Sequence, residues 1–136
     1  MYQVYNKTST EYAQNAPIVF NTTKFADCRV INTSGTTFSI RAPGRYLVSF
    51  NGIGSSTQAT SPFTVALYQN EVALPETTTT VYSTAANDVG ALTFSTIVNV
   101  LPSCVSVNNQ ANLQVVATSA NSGTMTSANL IIYRLK

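Results

Sequence analysis

The chain has 136 residues, of which 44% are hydrophobic and only 9% charged, and its formal net charge is +2. A typical soluble domain carries about 25% charged residues; here Thr, Ser and Asn stand in for the missing ions, so little like-charge repulsion opposes self-association. The basic residues are scattered without a run or an aromatic partner pattern, which speaks against nucleic-acid binding, where several phosphates must be met at once.

Period-two alternation begins at once in Tyr2 to Asn6, so residues 1–16 read as a first strand or an N-terminal arm. No basic segment followed by an apolar one marks a secretory leader, and no apolar run approaches the ~20 residues of a membrane-spanning helix. The expectation is a protein made in the cytoplasm without a signal peptide. "APIVF" (Ala16 to Phe20) is a short apolar run, and "CRVIN" and "TTFSI" flank Ser34-Gly35, a hairpin-type tip. In "APGR", Pro43 and Gly44 suit the two central positions of a type II turn. Beyond it Tyr46, Val48 and Phe50 point one way, a core face, while Arg45, Leu47, Ser49 and Asn51 point the other. That second face is mixed, as expected of a strand whose back meets another subunit.

Residues 54–62 read as a polar loop, then "FTVALYQ" places Phe63, Val65 and Leu67 on one face. Asn70-Glu71 is a hairpin tip, and the threonines of "PETTTT" favour extended backbone through β-branching. "ALTFSTIVNVL" puts Leu92, Phe94, Thr96, Val98 and Val100 on one side; "CVSV" and "NLQVVAT" are further strands. Residues 119–127 read as a long polar loop before the closing strand "NLIIYRL". No stretch is convincingly amphipathic at helical spacing, and many short strands with turn signals between them predict an all-β, antiparallel sandwich or barrel in one domain, 1–136.

Little of this looks like reaction chemistry. The chain has no His, so the common nucleophile–base arrangements are absent. Of the five carboxylates, Glu71 and Glu76 are close enough in sequence to resemble a glycosidase pair, but two solvated loop charges explain them better. Cys28 and Cys104 read as two reduced, buried thiols, with a single disulfide as the alternative; neither has the neighbours a metal needs. "GIGSST" lacks the third Gly of a dinucleotide loop and the Lys of a nucleotide-triphosphate loop. The sequons at Asn6, Asn21 and Asn32 are chance matches in an Asn/Thr/Ser-rich chain. Tyr2, Tyr5 and Tyr12 cluster in sequence and offer a sugar-stacking platform, although tyrosines also simply suit half-buried strands. No catalytic residue, cofactor or metal ligand is assigned.

The segment "FSIRAPGRYLVSFNG" is similar to a strand pair of the C1q/tumour-necrosis-factor-like jelly roll, with Phe38, Pro43, Gly44, Tyr46, Val48 and Phe50 in the matching places. "PIVFN", "VALYQNEV" and "ANLIIYRLK" resemble other elements in order, the last as found in bacterial collagen-like spore-surface (exosporium) proteins and phage structural proteins. Glu71 departs from a frequent Gly, "SCVSVNN" departs from a Gly-Asp pair so that no calcium site carries over, and no collagen-like stalk precedes the segment. The resemblance implies a ten-stranded antiparallel jelly roll assembled as a homotrimer through its inner sheet. Leu47, Ser49 and Asn51 would face the trimer axis, and Ile131, Tyr133 and Leu135 form a second candidate for the same seam.

The expected function is a non-enzymatic structural or adhesive trimer on a particle surface, foremost a phage virion component such as a head decoration, fibre or spike module. The alternatives are a spore-surface protein, or a receptor- or carbohydrate-binding module. Expected partners are the chain itself, other particle-surface proteins and a host-surface glycan or receptor, with no nucleic acid and no membrane span.

Overall fold

The computed structural model describes residues 1–101 and 111–135. They form strands β1 (Tyr2–Asn6), β2 (Thr10–Tyr12), β3 (Thr22–Phe25), β4 (Val30–Thr33), β5 (Thr37–Ile40), β6 (Gly44–Ser56), β7 (Ser61–Gln69), β8 (Val72–Ala73), β9 (Thr79–Ser83), β10 (Gly90–Val100), β11 (Ala111–Ala117) and β12 (Gly123–Arg134). One sheet runs β10-β6-β12-β1-β3, with β2 also on β12; the other runs β4-β5-β11-β7-β8, with β9 also on β7. Every pairing is antiparallel. From β9 onward the described strands alternate between the sheets, β9 and β11 in one and β10 and β12 in the other. Within residues 1–16, read as a first strand or an arm, Tyr2–Asn6 form β1, which lies between β12 and β3.

The alternation is confirmed where it was clearest. Tyr46, Val48 and Phe50 of β6, Phe63, Val65 and Leu67 of β7, and the Leu92-to-Val100 face of β10 are all buried between the sheets. Each large apolar side chain removed from water contributes about 1.5–3 kcal/mol. "APIVF" is not a strand. Pro17 has no N–H to give a ladder, so the run makes an isolated bridge to Val116 and two bonds with β11, Ile18 N–H to the Val115 carbonyl and Ala117 N–H to the Ala16 carbonyl. It thereby sinks Ile18 and Phe20 into the core. Phe20 joins the two sheets: its ring lies 5.7 Å from Phe38 and 6.3 Å from Phe50, both edge-on, and Phe50 stacks on Phe94 at 5.3 Å. Such pairs add about 0.5–1.5 kcal/mol to the area term.

Both hairpin tips form where expected. Ser34 and Gly35 have φ of 57° and 71°, and Asn70 and Glu71 have 51° and 68°, the two left-handed residues that match strand twist in a tight hairpin. The type II turn at Pro43-Gly44 does not form. Gly44 already pairs with Val100 as the first residue of β6 at φ 146°, and the Ala42 carbonyl is taken by the Tyr46 hydroxyl at 2.7 Å.

Two loops are shorter than expected. β6 continues to Ser56 and β7 starts at Ser61, so the 54–62 loop shrinks to residues 57–60. β12 starts at Gly123, within the supposed 119–127 loop. The cause is close packing: Met125 lies over Gly52 and Gly54, and the Phe63 ring lies against Gly123, leaving no room for a Cβ at these positions. "PETTTT" supplies a 3-10 turn (Pro75–Thr77) and then β9. Within the turn, buried Thr77 accepts the Leu67 N–H at 2.8 Å and donates to the Leu74 carbonyl at 2.7 Å.

Cys28 is an exposed free thiol, not the buried one expected, because it lies in the open connection between β3 and β4. That connection is fixed instead by Asp27. Its carboxylate accepts the Arg29 backbone N–H at 3.0 Å and the Arg29 guanidinium at 3.1 and 3.2 Å. Cys104 and the expected "CVSV" strand lie outside the described residues.

Candidate functional site

The candidate site is the face of the β10-β6-β12 sheet turned away from the core. Since Tyr46, Val48 and Phe50 point inward, the pleat turns Arg45, Leu47, Ser49, Asn51 and Ile53 outward. Register then assembles rows across three strands. Leu47 lies opposite Ile97 on one side and Tyr133 on the other; Ser49 lies opposite Ser95 and Ile131; Asn51 lies opposite Thr93 and Asn129. Directly opposed side chains have Cβ atoms about 4.5–5.5 Å apart, so each row is a contact line. Leu135, just past β12, donates its N–H to the Arg45 carbonyl at 2.7 Å and extends the apolar row toward that end.

The structure therefore gathers Leu47, Ser49, Asn51, Ile131, Tyr133 and Leu135 on one face. Tyr133 is 47% exposed and Leu135 44%, while Leu47 and Ile131 are half-buried. The sequence reading missed Ile97, which is 57% exposed, and Ile53, which is 46% exposed. Ile97 is the one large apolar side chain on the outward face of β10, among Ala91, Thr93, Ser95 and Asn99. That oddity was visible in the alternation, but its place opposite Leu47 depends on register. Apolar side chains adjoining one another on an open sheet mark an interaction surface more strongly than the same residues scattered singly. Above the apolar row the face turns polar: the Ser95 and Ser49 hydroxyls are 3.5 Å apart, and Gln3 Nε2 donates to Asn129 Oδ1 at 2.9 Å.

The other sequence candidates are placed as follows. Glu71 sits at the β7–β8 tip, and the Glu76 carboxylate accepts the Thr96 hydroxyl at 3.1 Å, a bond that ties the 3-10 turn to β10. Gly52 to Ser56 of "GIGSST" are strand, the end of β6, and not a phosphate-binding loop. The tyrosines do not form a platform. Tyr2 is buried against Phe38, and buried Tyr12 accepts the Val19 N–H; Tyr5 alone of the three is half-open. Asn6 of the first sequon is buried, its amide bonded to the Val19 carbonyl at 2.9 Å and to the Thr8 N–H at 2.8 Å.

No protein-family model and no curated protein matches the sequence. Solved structures do match the fold. The globular domain of zebrafish complement 1qA aligns with a TM-score of 0.66 at 13% identity, over 98% of this chain and 97% of that one. The Eiger TNF from S. frugiperda aligns with a TM-score of 0.71 at 10% identity, over 99% and 93%. The vertex protein P5 of phage PRD1 aligns with a TM-score of 0.58 at 11% identity, over 99% and 96%.

Proposed function

The chain has the C1q/TNF-like jelly-roll fold, and we propose that it works as a single-domain, non-enzymatic homotrimer on the surface of a particle, foremost a phage virion. The observation that carries the reading is the Ile97–Leu47–Tyr133 row, apolar and open to solvent on a sheet whose other face is core. A second copy is the natural cover for it. Few charges stand against association. In a cyclic trimer each copy meets two neighbours head to tail, and the ring closes. The particle role draws on the shared fold with a phage vertex protein and on the hydroxyl- and amide-rich surface.

The test has two parts. Light scattering coupled to size exclusion should give three times the 14.5 kDa chain mass. In lysates of the producing cells the protein should sediment with particles and be labelled on their surface by immunogold. A monomer, or a protein confined to the particle-free fraction, overturns the corresponding half of the proposal.

A further inference from the structure

Beside the apolar seam, where β1, β3 and β12 meet, a cleft of about 380 Å³ opens, lined chiefly by Gln3, Tyr5, Lys7, Lys24, Ser127 and Asn129. Its volume falls within the range of small-molecule sites, roughly 300–1,000 Å³. Its chemistry differs from that of the seam. The chain has three lysines, and the two that are described both line this cleft. No Asp or Glu lines it, and among the described residues neither ammonium group is in an ion pair. By contrast, Arg29 is paired with Asp27 and Arg134 donates to the Pro43 carbonyl at 2.9 Å, while among the described residues the Lys24 ammonium has only the Phe25 ring, 5.6 Å away.

The cleft wall is also preset. The bond from Gln3 Nε2 to Asn129 Oδ1 fixes both side-chain amides across the β1–β12 pairing. It leaves the Asn129 NH₂ as donor and the Gln3 carbonyl as acceptor for a guest, with the Ser127 hydroxyl able to serve as either. Half-buried Tyr5, opposite Asn129, supplies an aromatic body with a polar tip.

We infer that this cleft binds an acidic saccharide. Its carboxylate or sulfate answers Lys7 and Lys24, its hydroxyls bond Gln3, Asn129 and Ser127, and its C–H face packs on Tyr5. A contact between copies fits less well, because lysine is depleted in protein interfaces and no carboxylate is at hand to pair with it. The site does not depend on the trimer: a monomer would carry it too.

The experiment is a ligand-observed NMR titration of the wild-type protein in whatever assembly state its mass shows. The probes are 3′-sialyllactose for a carboxylate, a heparin disaccharide for a sulfate, and lactose as the neutral control. At least one acidic probe should saturate, weaken as salt rises, and bind at least about tenfold tighter than lactose, since ionic hydrogen bonds are the strong ones. The Lys7→Ala/Lys24→Ala double variant alters only exposed side chains and should keep the wild-type mass and melting temperature while losing that tenfold. Three results overturn the proposal: no acidic probe saturates; the double variant binds as well as wild type; or the double variant changes assembly state, which would make the cleft a contact between copies.

Discussion

Replacing Ile97 by Asp separates the contact face from the fold. Ile97 is 57% exposed in the protomer, and surface substitutions of this kind usually change protomer stability by no more than about 0.5 kcal/mol. Its neighbours across the register are Leu47 and then Tyr133, so in a trimer sealed by this row the side chain is covered. Full burial of an isoleucine is worth about 1.5–3 kcal/mol; the 57% still open accounts for about 1–2 kcal/mol per copy. The carboxylate adds a desolvation penalty of several kcal/mol per ion, with no basic residue in its row to pair with it. Three copies together lose on the order of 10 kcal/mol of association free energy, about seven decades in the trimerisation constant. Ile97→Asp should therefore elute as a folded monomer by light scattering, with the wild-type β-sheet circular dichroism. Ile97→Thr, which lacks the charge, should still assemble but dissociate on dilution. Val72→Asp, at an equally open position on β8 of the other sheet, should leave the mass unchanged. If Ile97→Asp stays trimeric, the seam lies elsewhere and the assignment of this face is wrong.

Two further predictions concern the fold. Glu71→Gly relieves a non-glycine residue at φ 68°, where the left-handed conformation costs about 1–2 kcal/mol, partly offset by the larger unfolded-state entropy of glycine; urea denaturation should show a gain of up to about 1 kcal/mol. The Asp27 carboxyl is held below its ordinary pKa, first by the Arg29 backbone N–H and then by the guanidinium, against partial burial. A depressed folded pKa means stability that is fully present above the unfolded value of about 3.9 and lost as pH falls through the folded pKa. Asp27→Asn should accordingly lower the melting temperature at pH 7 and shrink the gap to wild type as pH drops below 4; a gap independent of pH would refute the linkage.

The inward faces of β6, β7 and β10 were legible because each carries large apolar residues at alternate positions, and burial enforces that pattern. The tips at Ser34-Gly35 and Asn70-Glu71 were legible because local φ demands select their residues. The ends of β6 and β12 were not. Gly52, Gly54 and Gly123 look like loop by composition, yet they are strand positions where Met125 and Phe63 take the space that a Cβ would fill. The contact face was half legible. β6 announced it, but Ile97 joins Leu47 only through a register that no local pattern encodes. The lysine cleft was not legible at all, since Gln3 and Asn129 stand 126 positions apart.

That separation has a consequence for how the chain is made. β12 is the last of the twelve described strands to be synthesised, yet it lies inside its sheet, between β6 and β1. Until it emerges from the ribosome, β6 and β1 each present a bare edge with unpaired backbone groups, and pairing over such long separations is slow, on the order of milliseconds to seconds. Nascent chains that end before Gly123 should be the aggregation-prone species during expression. The same arrangement sets the order of assembly: the Leu47–Tyr133 contact line does not exist before β12 docks, so copies cannot associate through it until that strand is in place.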